Sequence, residues 1–203
     1  TGGDLKSTPI GNKILPGMDQ VFTHVSGGEN MFMPDPKIDP VKPGPVGLHS
    51  IGGLLKHLPA LTCLGSPTVN SYRRLWDTGF WAPVYADWGY QNRTCSVRVS
   101  APGRVEYRSV DSSHNPYLMG AGILKAFADG LDNKINPGEP EKKNIYDAMK
   151  GGKEVEKLPM TLGEAIERLD SDDVIKSALP EDMLRVFMHY KKDEWEKFLS
   201  AVT

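Results

Sequence analysis

Between Trp81 and Val110 the hydrophobic period of this chain is two, and that alternation restricts the fold more than any other feature. A period of two belongs to strands, whose side chains point alternately to opposite faces. It predicts strands over Val84–Trp88, Thr94–Ser100 and Arg104–Val110, with Ala101-Pro102-Gly103 as a hairpin turn between the last two. Cys95, Val97 and Val99 fall on one face of the hairpin and can be joined there by Val105 and Tyr107, whereas Arg98, Arg104, Glu106 and Arg108 fall on the other. The apolar face has to pack on helices. The fold class expected is α+β: a curved antiparallel sheet with helices on one side and an arginine-rich polar face on the other.

Helical spacing elsewhere supplies that cover. Leu48, Ile51, Leu55 and Leu58 recur at helical intervals between Val46 and about Leu64. Gly52 and Gly53 weaken this helix intrinsically, so close packing against a neighbour has to compensate, and Pro59 is expected to kink or end it. Asn115-Pro116 reads as an N-cap followed by proline at the first helical position, opening a helix to about Asn133 with Tyr117, Ala121, Leu124, Ala128 and Leu131 as its buried stripe. Residues 134–160 are loop-like. Thr161 and Glu164 form a capping box before a short helix, and another begins near Ser171. The last helix, from about Pro180 to Val202, gathers Leu184, Phe187, Met188, Trp195, Phe198, Leu199 and Val202 on one face. Upstream, a strand around Gln20–Val25 leads into the turn Ser26-Gly27-Gly28, and five prolines between Pro34 and Pro45 exclude a helix or central strand there.

Charge narrows the function classes. Lys and Arg number 24 against 26 Asp and Glu, a net charge of −2, which excludes a strongly basic nucleic-acid binder. No apolar run approaches the ~18 residues of a membrane span. Cys63 and Cys95 stand alone, without CxxC or Cys/His spacing, and read as reduced, buried thiols of a cytosolic protein. The five histidines show no zinc spacing.

The arginines carry the chemistry. Arg73, Arg74, Arg93, Arg98, Arg104 and Arg108 lie in strands or adjoining loops, in a span without lysine, and only Asp77, Asp87 and Glu106 accompany them as acids. Arginine is preferred where planar, bidentate contact with phosphate or carboxylate is required. One reading is a solvated sheet face with scattered ion pairs. The other is an anion pocket for phosphates or a carboxylate substrate, with Glu106 either holding a metal or acting as a salt-bridge partner. Residue chemistry reaches phosphoryl or carboxylate chemistry on a polar sheet face, without defining a reaction.

The order of segments resembles the glutamine synthetase family. SPTVNSYRRL (66–75) is similar to that family's NPTVNSYKRL signature, and GLHSIGGLLKHLPAL (47–61) to its FIAGLLKHAPAL helix. The likeness continues collinearly through APVY (82–85), QNRTCSVRV (91–99), RVEYRSVDSSHNPYL (104–118), DGLDNKINPGEP (129–140) and KKNIYD (142–147). The resemblance implies an ATP-dependent ligase in which ATP phosphorylates the glutamate side chain and ammonia displaces phosphate. It implies glutamate binding by Arg74, stabilisation of the transferring phosphoryl group by Arg93, an ATP-phosphate contact from Arg98, a Mg²⁺ or Mn²⁺ ligand in Glu106 and a further active-site arginine in Arg108. Phosphoryl transfer does need cations around the equatorial oxygens, and a carboxylate suits such a metal. The resemblance also implies a cytoplasmic homo-oligomer of stacked rings with no nucleic-acid or membrane partner. Tyr146 matches a tyrosine that some bacterial members adenylylate; the plainer reading is an exposed loop tyrosine. A related ligase joining methylamine or another alkylamine to glutamate, and a non-catalytic structural relative, are the alternatives.

Two departures accompany the resemblance. Where the family carries GMHxHxS, an ungapped alignment puts Asp19 and Val21 at the histidine positions and Thr23 at the serine. Asp19 can still ligate a hard cation through oxygen, Val21 can make no polar contact, and His24 reaches the site only if the register slips by an odd number of residues. The family's complete chains are also more than twice this length. Residues 1–203 therefore read as the C-terminal part of a catalytic domain, with the N-terminal β-grasp domain and the early half, which supplies most metal-binding glutamates, not included; residues 180–203 are its C-terminal helix.

Overall fold

The computed structural model describes residues 20–22, 25, 26, 28–37, 39–76 and 82–201. The central layer is a four-stranded sheet in the order β1 (Gln20–Phe22), β6 (Arg104–Tyr107), β5 (Val97–Ala101), β4 (Trp88–Tyr90). β1 and β5 both run antiparallel to β6, but β4 runs parallel to β5, so the expected antiparallel sheet is corrected to a mixed one. The strand expected over Val84–Trp88 starts later, because Tyr85 instead pairs with Lys157 in an isolated antiparallel bridge, and Ala86 N–H and Leu158 N–H extend that pairing. β2 (Val25–Ser26) and β3 (Glu29–Asn30) form a separate two-stranded ribbon, turning through Gly28 at φ +87°. The β5–β6 turn uses Gly103 at φ +72°, with the register shifted between Val99 and Ala101.

The hairpin's alternation holds residue by residue. Cys95, Val97, Val99, Val105 and Tyr107 are all buried. Helix α1 (Pro45–Gly65) runs through the middle of the molecule, with buried residues all round it. Pro59 neither ends nor splits it; it is buried and the helix continues to Gly65, a tertiary override of local preference. A 3-10 helix over Val69–Leu75 follows.

Helix α2 (Pro116–Asp132) starts as expected, with Asn115 Oδ1 accepting from Tyr117 N–H (2.9 Å) and Leu118 N–H (3.3 Å). Its buried face differs from the expected one. Met119, Gly122, Ile123, Ala126, Phe127 and Gly130 face the core, whereas Tyr117 and Leu124 are 74% and 58% exposed. The reason lies in the backbones. A Cβ on Gly53 would stand 2.0 Å from the Ala126 carbonyl oxygen, and one on Gly130 2.2 Å from that of His49. The two helices touch main chain to main chain, and the face with the small residues is the one that can approach.

Within residues 134–160 lies a short helix, α3 (Ile145–Lys150). Thr161 caps α4 (Leu162–Asp170) by accepting from Glu164 N–H (3.2 Å), while Glu164 reaches back one residue further than a capping box, to Met160 N–H (2.8 Å). α5 (Asp173–Lys176) and α6 (Glu181–Ala201) complete the chain. On α6 only Met188 is buried; Leu184, Phe187 and Trp195 are partly buried against the core, Phe198 and Leu199 are exposed, and Val202 lies outside the described residues.

Candidate functional site

The polar face of the β5–β6 hairpin holds a compact charged cluster. Register places Arg98 directly opposite Glu106, and opposed residues of an antiparallel pair share a face. Arg98 Nε lies 3.1 Å and Arg108 Nε 3.7 Å from the same Glu106 Oε2, with all three side chains between 11% and 13% exposed. At such burial a carboxylate between two guanidinium groups is largely desolvated, and its contacts to the two Nε atoms are ion pairs rather than hydrogen bonds. Arg108 Nη1 also donates to the carbonyl of Arg93, which ties the Asn92–Thr94 turn to the cluster.

The other sequence-derived residues stand as follows. Arg93 is exposed at the apex of its turn and makes no side-chain hydrogen bond or ion pair among the described residues. Arg74, near the end of the 3-10 helix, donates from Nη2 to the Val110 carbonyl (2.7 Å), three residues beyond β6. Arg104 donates to Ser100 Oγ (3.0 Å). Asp19 and His24 lie outside the described residues. Val21 pairs with Glu106 in the β1–β6 register.

Glu106 does not by itself make a metal centre. One of its oxygens is committed to two guanidinium groups, and no group of three or more His, Cys, Asp or Glu among the described residues could hold a metal ion. The residues present fit anions better: two guanidinium groups meet at one carboxylate oxygen, and one of them is tied to the turn that carries the exposed Arg93. That arrangement suits the oxygens of a phosphate or carboxylate.

Two further clusters escaped sequence reasoning. Lys153 Nζ lies 2.7 Å from both Asp87 Oδ2 and Glu141 Oε2. Burial opposes its charge, yet the two carboxylates hold its pKa above the ordinary lysine value, and Glu141 is in turn lowered by the ammonium and by Lys143 N–H. His57, buried in α1, touches Asp172 Oδ2 through Nδ1 (2.6 Å) and Asp129 Oδ2 through Nε2 (3.0 Å). Nothing in the spacing of residues 57, 129 and 172 announces this contact; the only signal was a histidine within a helix buried all round. Tyr146 is half-buried on α3 rather than exposed in a loop, donating to the Ala82 carbonyl (3.2 Å), and burial raises its phenol. Burial pushes both thiols up to about 12, and both cysteines are free.

A mixed sheet packed with helices, carrying an arginine–glutamate cluster on its polar face, defines the class. The family follows from comparison: the family model described as glutamine synthetase, catalytic domain, matches residues 20–203. Glutamine synthetase of Pyrococcus furiosus is 44% identical over 179 residues, covering 85% of this chain and 39% of that protein. Glutamine synthetase of Thermotoga maritima is 41% identical over 194 residues, covering 92% and 44%. A solved structure of a GmaS/ADP complex superposes with TM-score 0.82 at 33% identity, covering 90% of this chain and 43% of that one, and apo GmaS without ligand gives 0.81. The chain belongs to the glutamine synthetase family, and spans about two-fifths of the length of these relatives. Among the described residues no helix is long and apolar enough to cross a membrane.

Proposed function

We propose that the protein to which this chain belongs is an ATP-dependent ligase that forms an amide at the side-chain carboxylate of glutamate, with ammonia as the amine. A glutamate oxygen attacks the γ-phosphorus of ATP and ADP leaves. Ammonia nitrogen then attacks the acyl carbon of γ-glutamyl phosphate, losing a proton as phosphate departs. Arg98 and Arg108, paired with Glu106, present positive charge to phosphate oxygens. Arg93, whose guanidinium makes no ion pair among the described residues, is assigned to the transferring phosphoryl group, and Arg74 to the glutamate carboxylate. A divalent ion, if bound, would neutralise phosphate charge, but Glu106 alone does not hold it; further ligands would come from Asp19 or from the part of the relatives this chain does not cover. The reading includes the expected ring-shaped, cytoplasmic homo-oligomer.

The observation that carries this reading is the pairing of Arg98 and Arg108 on one buried Glu106 oxygen, with Arg108 also bound to the Arg93 carbonyl, in a chain of this family. The test is product formation by the complete protein with ATP, Mg²⁺, glutamate and either ammonia or methylamine. Glutamine and ADP in equal amounts are expected, with Arg93→Ala lowering kcat by about a hundredfold or more. Preferential product with methylamine would replace ammonia by an alkylamine, and absence of Mg²⁺-dependent ATP binding would point to a non-catalytic relative.

A further inference from the structure

Arg93 is the exposed residue of a turn whose two flanks are saturated with hydrogen bonds. Asn92 Oδ1 accepts from Thr94 N–H (3.0 Å) and Thr94 Oγ1–H (2.6 Å), closing the turn beneath Arg93. Asn92 Nδ2 donates outward to two carbonyls, those of Glu141 (3.1 Å) and Lys143 (2.7 Å). The amide has one orientation only, since two carbonyls require a donor and a backbone N–H requires an acceptor. Ile145 N–H donates to Thr94 Oγ1 (3.0 Å), and Glu141 N–H to the Trp88 carbonyl in β4 (2.8 Å). Behind this segment, Lys153 joins Glu141 to Asp87 at 2.7 Å each, and both carboxylates are only 9% exposed.

From this network we propose that Asn92 is a positioning residue for Arg93: its amide clamps the turn to the 141–145 segment, which the Lys153 clasp holds against β4, so that the Arg93 guanidinium is presented at a fixed place beside Arg108. This rests on the reading of Arg93 as the residue that meets the transferring phosphoryl group. A group that acts only in the transition state loses its effect when displaced by about an ångström, with little loss of ground-state binding. Asn92→Asp is the sharpest change. It keeps the oxygen that closes the turn and turns the outward donor into an oxygen facing two carbonyls.

The experiment is a double-mutant cycle in the complete protein, with Asn92→Asp, Arg93→Lys and the pair, followed by kcat and KM for ATP. Asn92→Asp is expected to lower kcat by about tenfold to a hundredfold, with KM for ATP changed less than about twofold. In the Arg93→Lys background the same substitution should add less than about a twofold loss, because the group it positions is already gone. Should Asn92→Asp fail to accumulate as folded protein, Asn92→Ala, which adds no charge, takes its place in the cycle. Equal losses in both backgrounds, or an Asn92 variant with unaltered kcat, would overturn the proposal, since a merely structural defect multiplies through every background. Wild-type protein that makes no ADP from ATP and glutamate would instead remove the ligase reading on which this rests.

Discussion

The β5–β6 hairpin and the α1–α2 helix pair were built by different rules. In the hairpin, alternation decides which face each side chain takes: Val97, Val99, Val105 and Tyr107 are buried on one, and Arg98, Glu106 and Arg108 share the opposite one. In the helix pair it does not. Tyr117 and Leu124 of α2 point outward while Gly122, Ala126 and Gly130 point in, because the contact with α1 is set by how closely two backbones can approach. A strand has two faces fixed by geometry, so alternation is decisive. A helix can rotate its stripe, and small residues exert their preference through the neighbour they admit rather than through their own transfer energy.

The largest expected effect breaks the helix pair directly. Gly53→Val places Cβ 2.0 Å from the Ala126 carbonyl oxygen and 2.9 Å from Gly130 Cα, both main-chain atoms that cannot swing aside. Destabilisation of about 3 kcal/mol or more is expected from such overpacking, read as the shift of the urea midpoint at constant slope. A loss under about 1 kcal/mol would mean that α1 and α2 can separate, and that the hairpin alone organises the core.

The second prediction concerns the charge cluster where α1 meets α2 and the start of α5. Each His57 nitrogen faces a carboxylate oxygen, which can only accept, so both contacts are hydrogen bonds only when the ring is the imidazolium. Burial opposes the charge, but Asp172 and Asp129 prevail and raise the His57 pKa; both aspartates, disfavoured by burial, are lowered by the histidine, with Lys56 on Asp129 and the Ile175 N–H on Asp172 adding to it. The His57 contribution to stability is therefore fully present below the ordinary histidine pKa of about 6.5 and is lost as pH rises through the raised folded value. The aspartate contribution is present above about 4 and is lost as pH falls through their lowered folded values. His57→Asn should cost about 2 kcal/mol at pH 6 and flatten the alkaline limb of the stability profile. An unaltered alkaline limb in the variant would show that the ring is neutral.

The legible and illegible parts of the molecule divide along the same line. Helix starts at Pro116 and Leu162 were readable because caps are local, and the arginine face because alternation is local. The family signature at residues 66–75 added positions that no periodicity marks. The burial of Pro59 within a continuous helix, the parallel β4, the His57 and Lys153 clusters and the outward turn of Leu124 all depend on partners far away in sequence, such as residue 172 for residue 57, and leave no local trace. For the site, the sequence placed Arg98, Glu106 and Arg108 together; it could not indicate that Asn92 ties the Arg93 turn to residues 141 and 143.

The smallest effect is also the one most specific to the comparison, because it separates glycines within a single helix. A Cβ on Gly122 would meet Leu61 and Leu64 side-chain methyls at 2.8 and 3.0 Å, groups that can yield, whereas a Cβ on Gly120 would meet nothing within 4 Å. If backbone approach selects the buried face of α2, glycine is needed on that face and is only a helix-weakening residue off it. Gly120→Ala should then stabilise the protein by about 0.5–1 kcal/mol, the difference in helix propensity, in the same urea titration that registers the loss from Gly53→Val. Destabilisation by Gly120→Ala would mean that this face of α2 meets other backbone in the complete protein as closely as Gly130 meets α1, and the contrast between the helix's two sides would disappear.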